Sequence, residues 1–453
     1  MVVEHPPARK TGGPEAMGLE PTHWRKQNGE ERLAKSSSAE SSPGTPIALR
    51  LLIMTQFFPP DFAATGQLIE ELVKQLASQR VDVRVFTGQP GYAFEKEKAP
   101  QVETDGQVWI KRSRMTQLFS NRLLGKVLNG VLFSLRAILH LIRQQRQYDI
   151  VLVTTAPPFL SVIAYLANRL LGIRYVCLLY DLYPDIAIEL NIVEETHPIA
   201  KMWRYINRKI WRRAENIIVL STSMKQRIVG HCPDIEGKVS VIHSWANPEK
   251  IVPIAKADNW FAKTHNLVDP FVVMYSGNMG RCHDIDTIFA AAKQLKNEPI
   301  LFVCIGGGAK QSHLLETIAA EGLNNFLFLP YQPKSVLPYS LTACDLALVS
   351  VSEGMQSLVA PSKLYPAMAT GRPIAAICPP DSYLGALLEA AKGGKAFANG
   401  ESELLADFIL SLANNRASAT QLGEAGRQYM ESHFTPELIA KQYLQVLAQA
   451  AKP

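Results

Sequence analysis

The sequence predicts an α/β protein with two doubly wound domains in tandem, each built on a mostly parallel sheet with helices on both faces. Three observations support this fold class. Short apolar segments alternate with helical segments from Ile47 onward, the alternation pauses over the proline-rich residues 246–269, and it then resumes. Such alternation is typical of parallel sheets. A chain of 453 residues suits two domains of this kind.

Five segments are expected along the chain. Residues 1–46 mix Pro, Gly, Ser and charged residues without periodicity, which predicts a disordered N-terminal extension. Residues 47–245 form the predicted first domain, 246–269 an interdomain linker and 270–433 the second domain. Residues 434–453 form a predicted C-terminal helix that can cross back to the first domain. A cleft is expected between the carboxyl ends of the two sheets.

The predicted elements of the first domain justify its assignment. In order they are a strand at 47–56, a helix at 67–79, strand 81–88, helix 123–145, strand 149–155, helix 159–171, strand 174–181, helix 199–213 and strand 216–221. Residues 150–168 carry no charge, as a membrane span would, but Pro157 and Pro158 would break a helix there. We therefore predict a strand, a loop and a helix in place of a transmembrane helix.

The second domain repeats the pattern. Its predicted elements are strand 270–277, helix 284–296, strand 300–307, helix 310–321, strand 326–330, a short helix, strand 346–351 and strand 373–378, followed by C-terminal helices that include 436–451. The six cysteines contain no C-x-x-C pair, which predicts free, mostly buried thiols in a reducing compartment.

A glycine-rich segment, SGNMGRCHDI, follows the first strand of the second domain. Gly277 and Gly280 allow backbone amides to approach a ligand, and Arg281 can bind two phosphate oxygens. This pattern fits a diphosphate site, but a strand-to-helix turn also favours glycine for structural reasons alone. The glycines of IGGGAK (305–310) are expected to form a tight structural turn. Asp284 and Asp286 are expected to cap a helix, a more common role for such acids than binding a metal.

A second segment, EGMQSLVAPSKLYPAMATGRPI (353–374), follows the strand 346–351. Glu353 stands at the carboxyl end of that strand and can accept hydrogen bonds from sugar hydroxyls. Ser362 and Lys363 lie near the start of the next helix, where an ammonium group and a helix terminus can hold phosphate. His243 and His283 are expected to be structural or peripheral, since no histidine pair has ligand spacing.

Five motifs in this order resemble the retaining glycosyltransferases with two Rossmann-like domains facing across a cleft, the GT-B fold of the glycosyltransferase family 4 type. They are TQFFPPDFAATGQLIEEL, DLYPD, YSGNMGRCHDIDTI, CDLALVSV and VAPSKLYPAMATGRPI. The similarity is greatest to the branch that transfers fucose or fucosamine-type sugars in bacterial capsule, O-antigen and colanic acid assembly. It extends from about Ile47 to the C-terminus.

The resemblance implies that the first domain binds the acceptor and the second binds a nucleotide diphosphate sugar, without a metal or other cofactor. The implied donor-binding residues are Gly66, Gly277, Asn278, Gly280, Arg281, Glu353, Ser362 and Lys363. Asp181 of DLYP matches an acid that faces the cleft, and we assign catalytic roles to Asp181, Arg281 and Lys363. Asp181 can instead be a loop or capping acid. The family usually has a glutamate for the ribose where this chain has Pro366, which leaves ribose recognition open.

Positive charge is concentrated in residues 107–148, which contain eight Lys or Arg and no Asp or Glu. Apolar residues recur within them at helical spacing, a pattern that fits a core-facing helix or a surface entering an anionic membrane. The stripe comprises Leu124, Val127, Leu128, Val131, Leu135, Ile138 and Ile142. Residues 201–213 mix basic residues with Trp203, Tyr205 and Trp211.

We expect peripheral membrane contact through 111–146 and 201–213, at the inner face of the plasma membrane, and no nucleic-acid binding. The predicted enzyme is a cytoplasmic glycosyltransferase with a lipid-linked saccharide acceptor. Two alternatives are a sugar-nucleotide 2-epimerase of the same fold and a non-catalytic partner protein that has lost full donor binding.

Overall fold

A computed structural model of the chain describes residues 49–60, 64–89, 99–113 and 123–452. The chain divides into two units between Pro46 and Ile47, and all of the described residues belong to the second unit. The predicted extension, 1–46, lies outside the described residues.

The first domain contains an eight-stranded sheet in the order β3-β4-β2-β1-β5-β6-β7-β8. All neighbours are parallel except β3, which runs antiparallel to β4. The strands are β1 Arg50–Met54, β2 Asp82–Thr87, β3 Val102–Asp105, β4 Val108–Arg112, β5 Ile150–Thr154, β6 Tyr175–Leu179, β7 Asn216–Val219 and β8 Val239–Val241. The helices are α1 Ala64–Ser78, α2 Leu123–Gln144, α3 Leu160–Leu171, α4 Asp185–Glu189, α5 Pro198–Arg213 and α6 Thr222–His231.

The second domain contains a six-stranded parallel sheet in the order β11-β10-β9-β12-β13-β14. Its strands are β9 Phe271–Ser276, β10 Ile300–Ile305, β11 Phe326–Leu329, β12 Leu346–Ser350, β13 Ile374–Ile377 and β14 Gly394–Phe397. The order reverses between β9 and β12, and open α/β sheets bind ligands at the carboxyl ends of the strands at such a point. The helices are α7 Trp260–Thr264, α8 Asp286–Gln294, α9 Gln311–Glu321, α10 Leu337–Thr342, α11 Leu364–Ala369, α12 Tyr383–Ala391, α13 Ser402–Asn414, α14 Arg416–His433 and α15 Pro436–Ala451.

The central strands are apolar because helices cover both faces of each sheet. All five residues of β5, β6 and β12 are buried. Packing also joins the last helix to the first domain, because α15 contacts α1, β5 and β6, and Gln75 Nε2 donates a hydrogen bond to Glu437 Oε1 at 3.0 Å.

The structure confirms the predicted strands and helices of both sheets within a few residues and adds elements that the sequence analysis omitted. The antiparallel hairpin β3–β4 and the short strands β8 and β14 were not predicted, and α7 forms within the expected linker. Residues 150–168 contain β5, a loop and the start of α3, as predicted. Among the described residues, no helix is both long enough and apolar enough to span a bilayer. Five of the six free cysteines are buried and Cys282 is half-buried.

The basic segments differ in part from the prediction. In α2 the core-facing residues are Phe133, Ala137 and Leu141, while Leu135 and Ile142 of the predicted stripe are exposed. Arg112 is buried and pairs with Glu103 at 2.6 Å, so it adds no free positive charge to the surface. In α5, Trp211 is buried and belongs to the core. The side chains of Leu124, Val127, Leu128 and Val131 lie outside the described part of the structure.

Candidate functional site

The glycine loop (276–285) begins where β9 ends, beside β12, at the reversal of strand order in the second sheet. Gly277 has φ +135°, a backbone conformation that favours glycine. Its N–H donates to Ile305 O at 2.8 Å, and Met279 N–H donates to Gly307 O at 2.7 Å. The loop is therefore fixed by the neighbouring strand end before any ligand binds.

The second glycine segment supports this loop from behind. A Cβ on Gly306 would lie 2.3 Å from Gly277 O, and one on Gly308 would lie 2.5 Å from Met279 O. Both glycines have a positive φ. The prediction that IGGGAK forms a tight structural turn is confirmed, because these glycines allow two loops to pack closely.

Lys363 reaches the same loop from the start of α11. Its Nζ donates to Tyr275 Oη at 2.5 Å and to Asn278 O at 3.4 Å. A Cβ on Gly277 would lie 3.4 Å from Lys363 Cε. Desolvation by the surrounding protein lowers the pKa of Lys363 to about 7. Among the described residues, no carboxylate lies within ion-pair distance of this ammonium group, so its positive charge is uncompensated.

The loop after β12 carries Glu353 and joins the glycine loop. Ser352 N–H donates to Cys282 O at 2.9 Å, which places Glu353 and Arg281 next to the two residues that share this bond. Arg281, Glu353 and Asn278 are exposed, and Ser362 is half-buried. Within residues 49–60, 64–89, 99–113 and 123–452, no hydrogen bond or ion pair holds the side chains of Arg281, Glu353 or Ser362.

Pro366 is compatible with the helix that presents Lys363. Helix α11 begins at Leu364, so Pro366 occupies its third position, where an N–H would have no partner within the helix. The next residue makes the first full-turn bond, from Ala367 N–H to Lys363 O at 3.2 Å. The helix thus starts directly after Ser362 and Lys363, as predicted.

Asp181 approaches this group of residues from the first domain. It follows β6, and its backbone pairs with Val359 in an isolated antiparallel bridge. Leu182 N–H donates to Leu358 O at 3.3 Å. Burial raises the pKa of the Asp181 carboxyl to about 6, and burial followed by the Asp181 charge raises the pKa of the Cys282 thiol. No donor contacts the carboxylate oxygens of Asp181 in the part of the chain that the structure describes.

The two domains are in contact beside this site. A Cβ on Gly354, which has φ +81°, would lie 1.8 Å from Glu189 Oε1, so α4 closes against the loop after β12. Lys334 and Glu70 form an ion pair between the domains at 3.0 Å. Gly66 lies in the first turn of α1, where a Cβ would lie 3.1 Å from the carbonyl carbon of Phe57. This glycine therefore permits close packing of α1, and no described contact joins it to the other predicted donor residues.

His243, His283 and Asp284 have the structural roles expected of them, whereas Asp286 lies exposed in the first turn of α8 and pairs with Lys310 at 3.4 Å. His283 Nδ1 bonds Ser350 O at 2.9 Å, and burial, followed by the Lys363 charge, lowers its pKa to about 3. A neutral ring that donates from Nδ1 presents a lone pair at Nε2, which does not suit phosphate. His243 bonds Tyr365 Oη at 3.0 Å. Asp284 accepts from Thr287 N–H at 3.0 Å and so caps α8. Among the described residues, no group of three or more His, Cys, Asp or Glu is arranged to hold a metal.

The structure thus brings Lys363, Gly277 and Asn278 into direct contact and places Asp181 against the loop that leads to Lys363. Tyr275, whose hydroxyl joins Lys363 to the glycine loop, begins the motif YSGNMGRCHDIDTI but was not predicted as a site residue. Its position at the carboxyl end of the first strand was the available signal, since that end of β9 borders the expected ligand site.

Comparison with known proteins supports the same organisation. Residues 65–250 match the model of Glycosyltransferase Family 4, and residues 256–429 match that of Glycosyl transferases group 1. The chain is 27% identical over 333 residues to "Probable glycosyltransferase WbjE" of Pseudomonas aeruginosa, covering 72% of this chain and 80% of the relative. It is 23% identical over 408 residues to "Putative colanic acid biosynthesis glycosyl transferase WcaI" of Escherichia coli K12, covering 87% of this chain and 99% of the relative.

Among solved structures, the Anabaena protein HepE in complex with UDP and glucose superposes with a TM-score of 0.66 at 16% identity. The match covers 88% of this chain and 99% of the HepE chain. The predicted GT-B fold is confirmed by such neighbours. The chain belongs to the glycosyltransferases that join a family 4 domain to a group 1 domain.

Proposed function

We propose that this protein transfers a hexosyl group, of the fucose or N-acetylfucosamine type, from a nucleotide diphosphate sugar to a lipid-linked saccharide in cell-surface polysaccharide synthesis. The observation that carries the proposal is the uncompensated ammonium of Lys363, held against the glycine loop at the reversal of strand order. A desolvated, half-buried cation without an acidic partner is unfavourable unless an anionic ligand completes the site. The role of the relative WcaI in colanic acid biosynthesis supports the polysaccharide assignment.

The donor side of the site suits a departing diphosphate. Cleavage of the bond to the anomeric carbon leaves negative charge on the diphosphate, and preorganised donors that meet this charge lower the barrier. Lys363 and Arg281 can supply that stabilisation together with the loop amides, and we propose that these cations act in place of a metal. Glu353, exposed and without a partner among the described residues, is proposed to accept hydrogen bonds from sugar hydroxyls.

The acceptor side is assigned to Asp181. Its carboxylate, free of described donors, can orient the acceptor hydroxyl or support its deprotonation. We propose retention of anomeric configuration, with departure and attack on one face of the sugar. The family assignment supports this stereochemistry.

A test of the donor assignment is a thermal-shift panel of UDP, GDP, dTDP and ADP sugars, repeated with EDTA. A ligand at one hundred times its dissociation constant stabilises the folded state by about 2.7 kcal/mol. We expect one nucleotide to raise the melting temperature with EDTA present and Arg281→Ala to reduce that rise. Lys296→Met, an exposed lysine outside the site, is the control that should respond as wild type. No stabilisation by any nucleotide would contradict the donor site.

We also propose that helices α2, α3 and α5 contact an anionic membrane. The helices lie side by side, since α3 contacts both α2 and α5. Of the 18 large apolar side chains that are exposed among the described residues, 11 fall between Leu135 and Tyr205. They include Leu135, Leu139, Ile142, Leu166, Leu170, Ile199, Met202 and Tyr205.

Charge on these helices favours the same partner. The three helices contain ten Lys or Arg and no Asp or Glu, and of the ten, Arg204 and Arg212 pair with Asp185 and Asp234 outside these helices. Each basic residue near an anionic surface contributes about 1 kcal/mol to binding, and buried apolar side chains add to this. Leu170 is 80% exposed on α3, a helix that the sequence analysis left out of the membrane surface.

Flotation with vesicles tests the membrane assignment. We expect the full chain to float with phosphatidylcholine vesicles that contain phosphatidylglycerol and to remain at the bottom with phosphatidylcholine alone. The double variant Leu170→Glu/Met202→Glu should lose at least tenfold in bound fraction, because it removes apolar area and adds repulsion. Leu404→Glu changes a leucine of the second domain that is 50% exposed, close to the 56% of Met202, and should float as wild type. Failure of the wild type to float would exclude this surface as a membrane contact.

A further inference from the structure

We propose that Tyr275 is a positioning residue of the transfer site, whose hydroxyl fixes the Lys363 ammonium against the glycine loop so that both meet the diphosphate as one unit. The proposal rests on the proposed function, because it takes the diphosphate as the ligand of Lys363. It assigns a role to a residue that stands in the motif YSGNMGRCHDIDTI but was not predicted as a site residue.

The hydroxyl of Tyr275 makes two bonds in different directions. It accepts a hydrogen bond from Lys363 Nζ at 2.5 Å and donates its single proton to Asn278 O at 2.9 Å. The phenol ring is 1% exposed on β9 and is therefore fixed by the sheet. A rigid side chain thus connects the start of α11 to the glycine loop, two segments 85 residues apart in sequence.

Lys363 has few other restraints. Its remaining hydrogen bond, to Asn278 O, is 3.4 Å long, near the limit for such a bond. The ammonium also lies 3.9 Å from the centre of the Tyr275 ring, so the face of the same residue attracts it. A lysine side chain is flexible, and without Tyr275 it would sample several orientations in the cleft. The tyrosine therefore supplies most of the preorganisation of this cation.

The Tyr275 hydroxyl should affect the pKa of Lys363, because few other polar groups surround the ammonium. The titratable groups that face Lys363 are Tyr275 on β9 and His283 in the glycine loop, and the neutral His283 ring adds no negative charge. No carboxylate among the described residues forms an ion pair with it. Loss of the hydrogen bond from the charged form should lower the pKa of Lys363 by about one unit.

The first experiment measures this shift without any ligand. The rate of amine acylation at Lys363, followed by mass spectrometry across pH 5 to 10, reports the fraction of neutral amine. We expect a midpoint near pH 7 in the wild type and one about one pH unit lower in Tyr275→Phe. Tyr443→Phe is the matched control, because Tyr443 is buried and its hydroxyl has no hydrogen-bond partner among the described residues. The control should keep the wild-type midpoint.

The second experiment measures binding of UDP and GDP by calorimetry at pH 6 and pH 8. Tyr275→Phe should bind about tenfold more weakly than wild type at pH 8, and the difference should shrink at pH 6, where the lysine regains its proton. Comparison at equal pH cancels the titration of the nucleotide itself. If Tyr275→Phe had merely lost local packing, its affinity for the nucleotide would be reduced by the same factor at both pH values.

The outcomes separate this inference from the proposed function. If the wild type binds neither nucleotide and the panel of sugars also fails, the donor site is wrong and the role of Tyr275 with it. If the wild type binds a nucleotide, while Tyr275→Phe keeps its affinity and its Lys363 midpoint, the positioning role alone is overturned. Each comparison requires that Tyr275→Phe is correctly folded, which circular dichroism and a cooperative thermal unfolding transition would show.

Discussion

Replacing Lys363 with methionine is expected to reduce transfer by about 100- to 1,000-fold, the usual effect of removing one donor that stabilises developing negative charge. Methionine keeps much of the length and apolar character of the lysine stem but has no ammonium. The donor should also bind more weakly, since the interaction exists before the diphosphate departs. Release of nucleoside diphosphate from the donor that the panel identifies, measured with and without acceptor, checks this result.

The same substitution should raise the stability of the protein without ligand. The folded pKa of Lys363 is about 7, below its value of 10.5 in the unfolded chain. Between these pH values the unfolded state binds more protons, so stability rises with pH across this window. Below pH 7 the folded protein carries the full desolvation penalty of the ammonium. Lys363→Met should therefore melt higher than wild type at pH 6, and this difference should shrink by pH 9.

Two results would contradict this account of Lys363. One is a variant that keeps the wild-type transfer rate, because the ammonium would then not act on the leaving group. The other is a variant that is less stable at pH 6, because the ammonium would then be compensated by a partner. Lys296→Met serves again as the control and should change neither transfer nor the pH dependence of stability.

The alternation of apolar strands with helices was sufficient to predict both sheets, because buried parallel strands are continuous apolar runs. The hairpin β3–β4 was not predicted because Val102–Asp105 lies mostly exposed at the edge of its sheet and lacks an apolar pattern. Gly106, with φ +61°, and Gln107 form the two-residue turn between the paired residues Asp105 and Val108, and the Asp105-Gly106 pair was the available signal. Strand β14 was not predicted because Gly394–Phe397 contains a glycine and an exposed lysine and buries only Phe397, so it lacks the apolar run of the other strands.

Motif spacing predicted which segments form the candidate site, but not their contacts. Glycine at 277, Lys363 and the position of Pro366 near a helix start all followed from local sequence patterns. The bond between Lys363 and Tyr275 depends on where β9 ends relative to α11, which is a property of the packed second domain. The bridge between Asp181 and Val359 depends on the contact between domains. Neither is encoded in the spacing of residues along the chain.

Replacing Asp181 with asparagine is expected to slow transfer by about 100- to 10,000-fold, the range for loss of a positioned acid or base. Asparagine preserves the shape of the side chain but cannot carry the negative charge that orients or deprotonates an acceptor hydroxyl. In the wild type, kcat/KM should fall as the pH drops below about 6, where the carboxylate becomes protonated. The asparagine variant should lose this acid limb, whereas Asp407→Asn, an exposed acid on α13, should keep the wild-type profile.

Stability provides an independent check on Asp181, because its carboxyl has no described partner to compensate its burial. Its folded pKa of about 6 lies above the unfolded value of 3.8, so the folded state binds more protons between these values. Below pH 3.8 the carboxyl is protonated in both states and its burial costs least. The free energy of unfolding then falls as the pH rises from 3.8 through 6, because the folded state must bury a carboxylate. Asp181→Asn should therefore be more stable than wild type at pH 7 and equal to it near pH 4. A variant that is slower but no more stable at pH 7 would indicate that the Asp181 carboxylate is held by a partner, and that its role in transfer is structural.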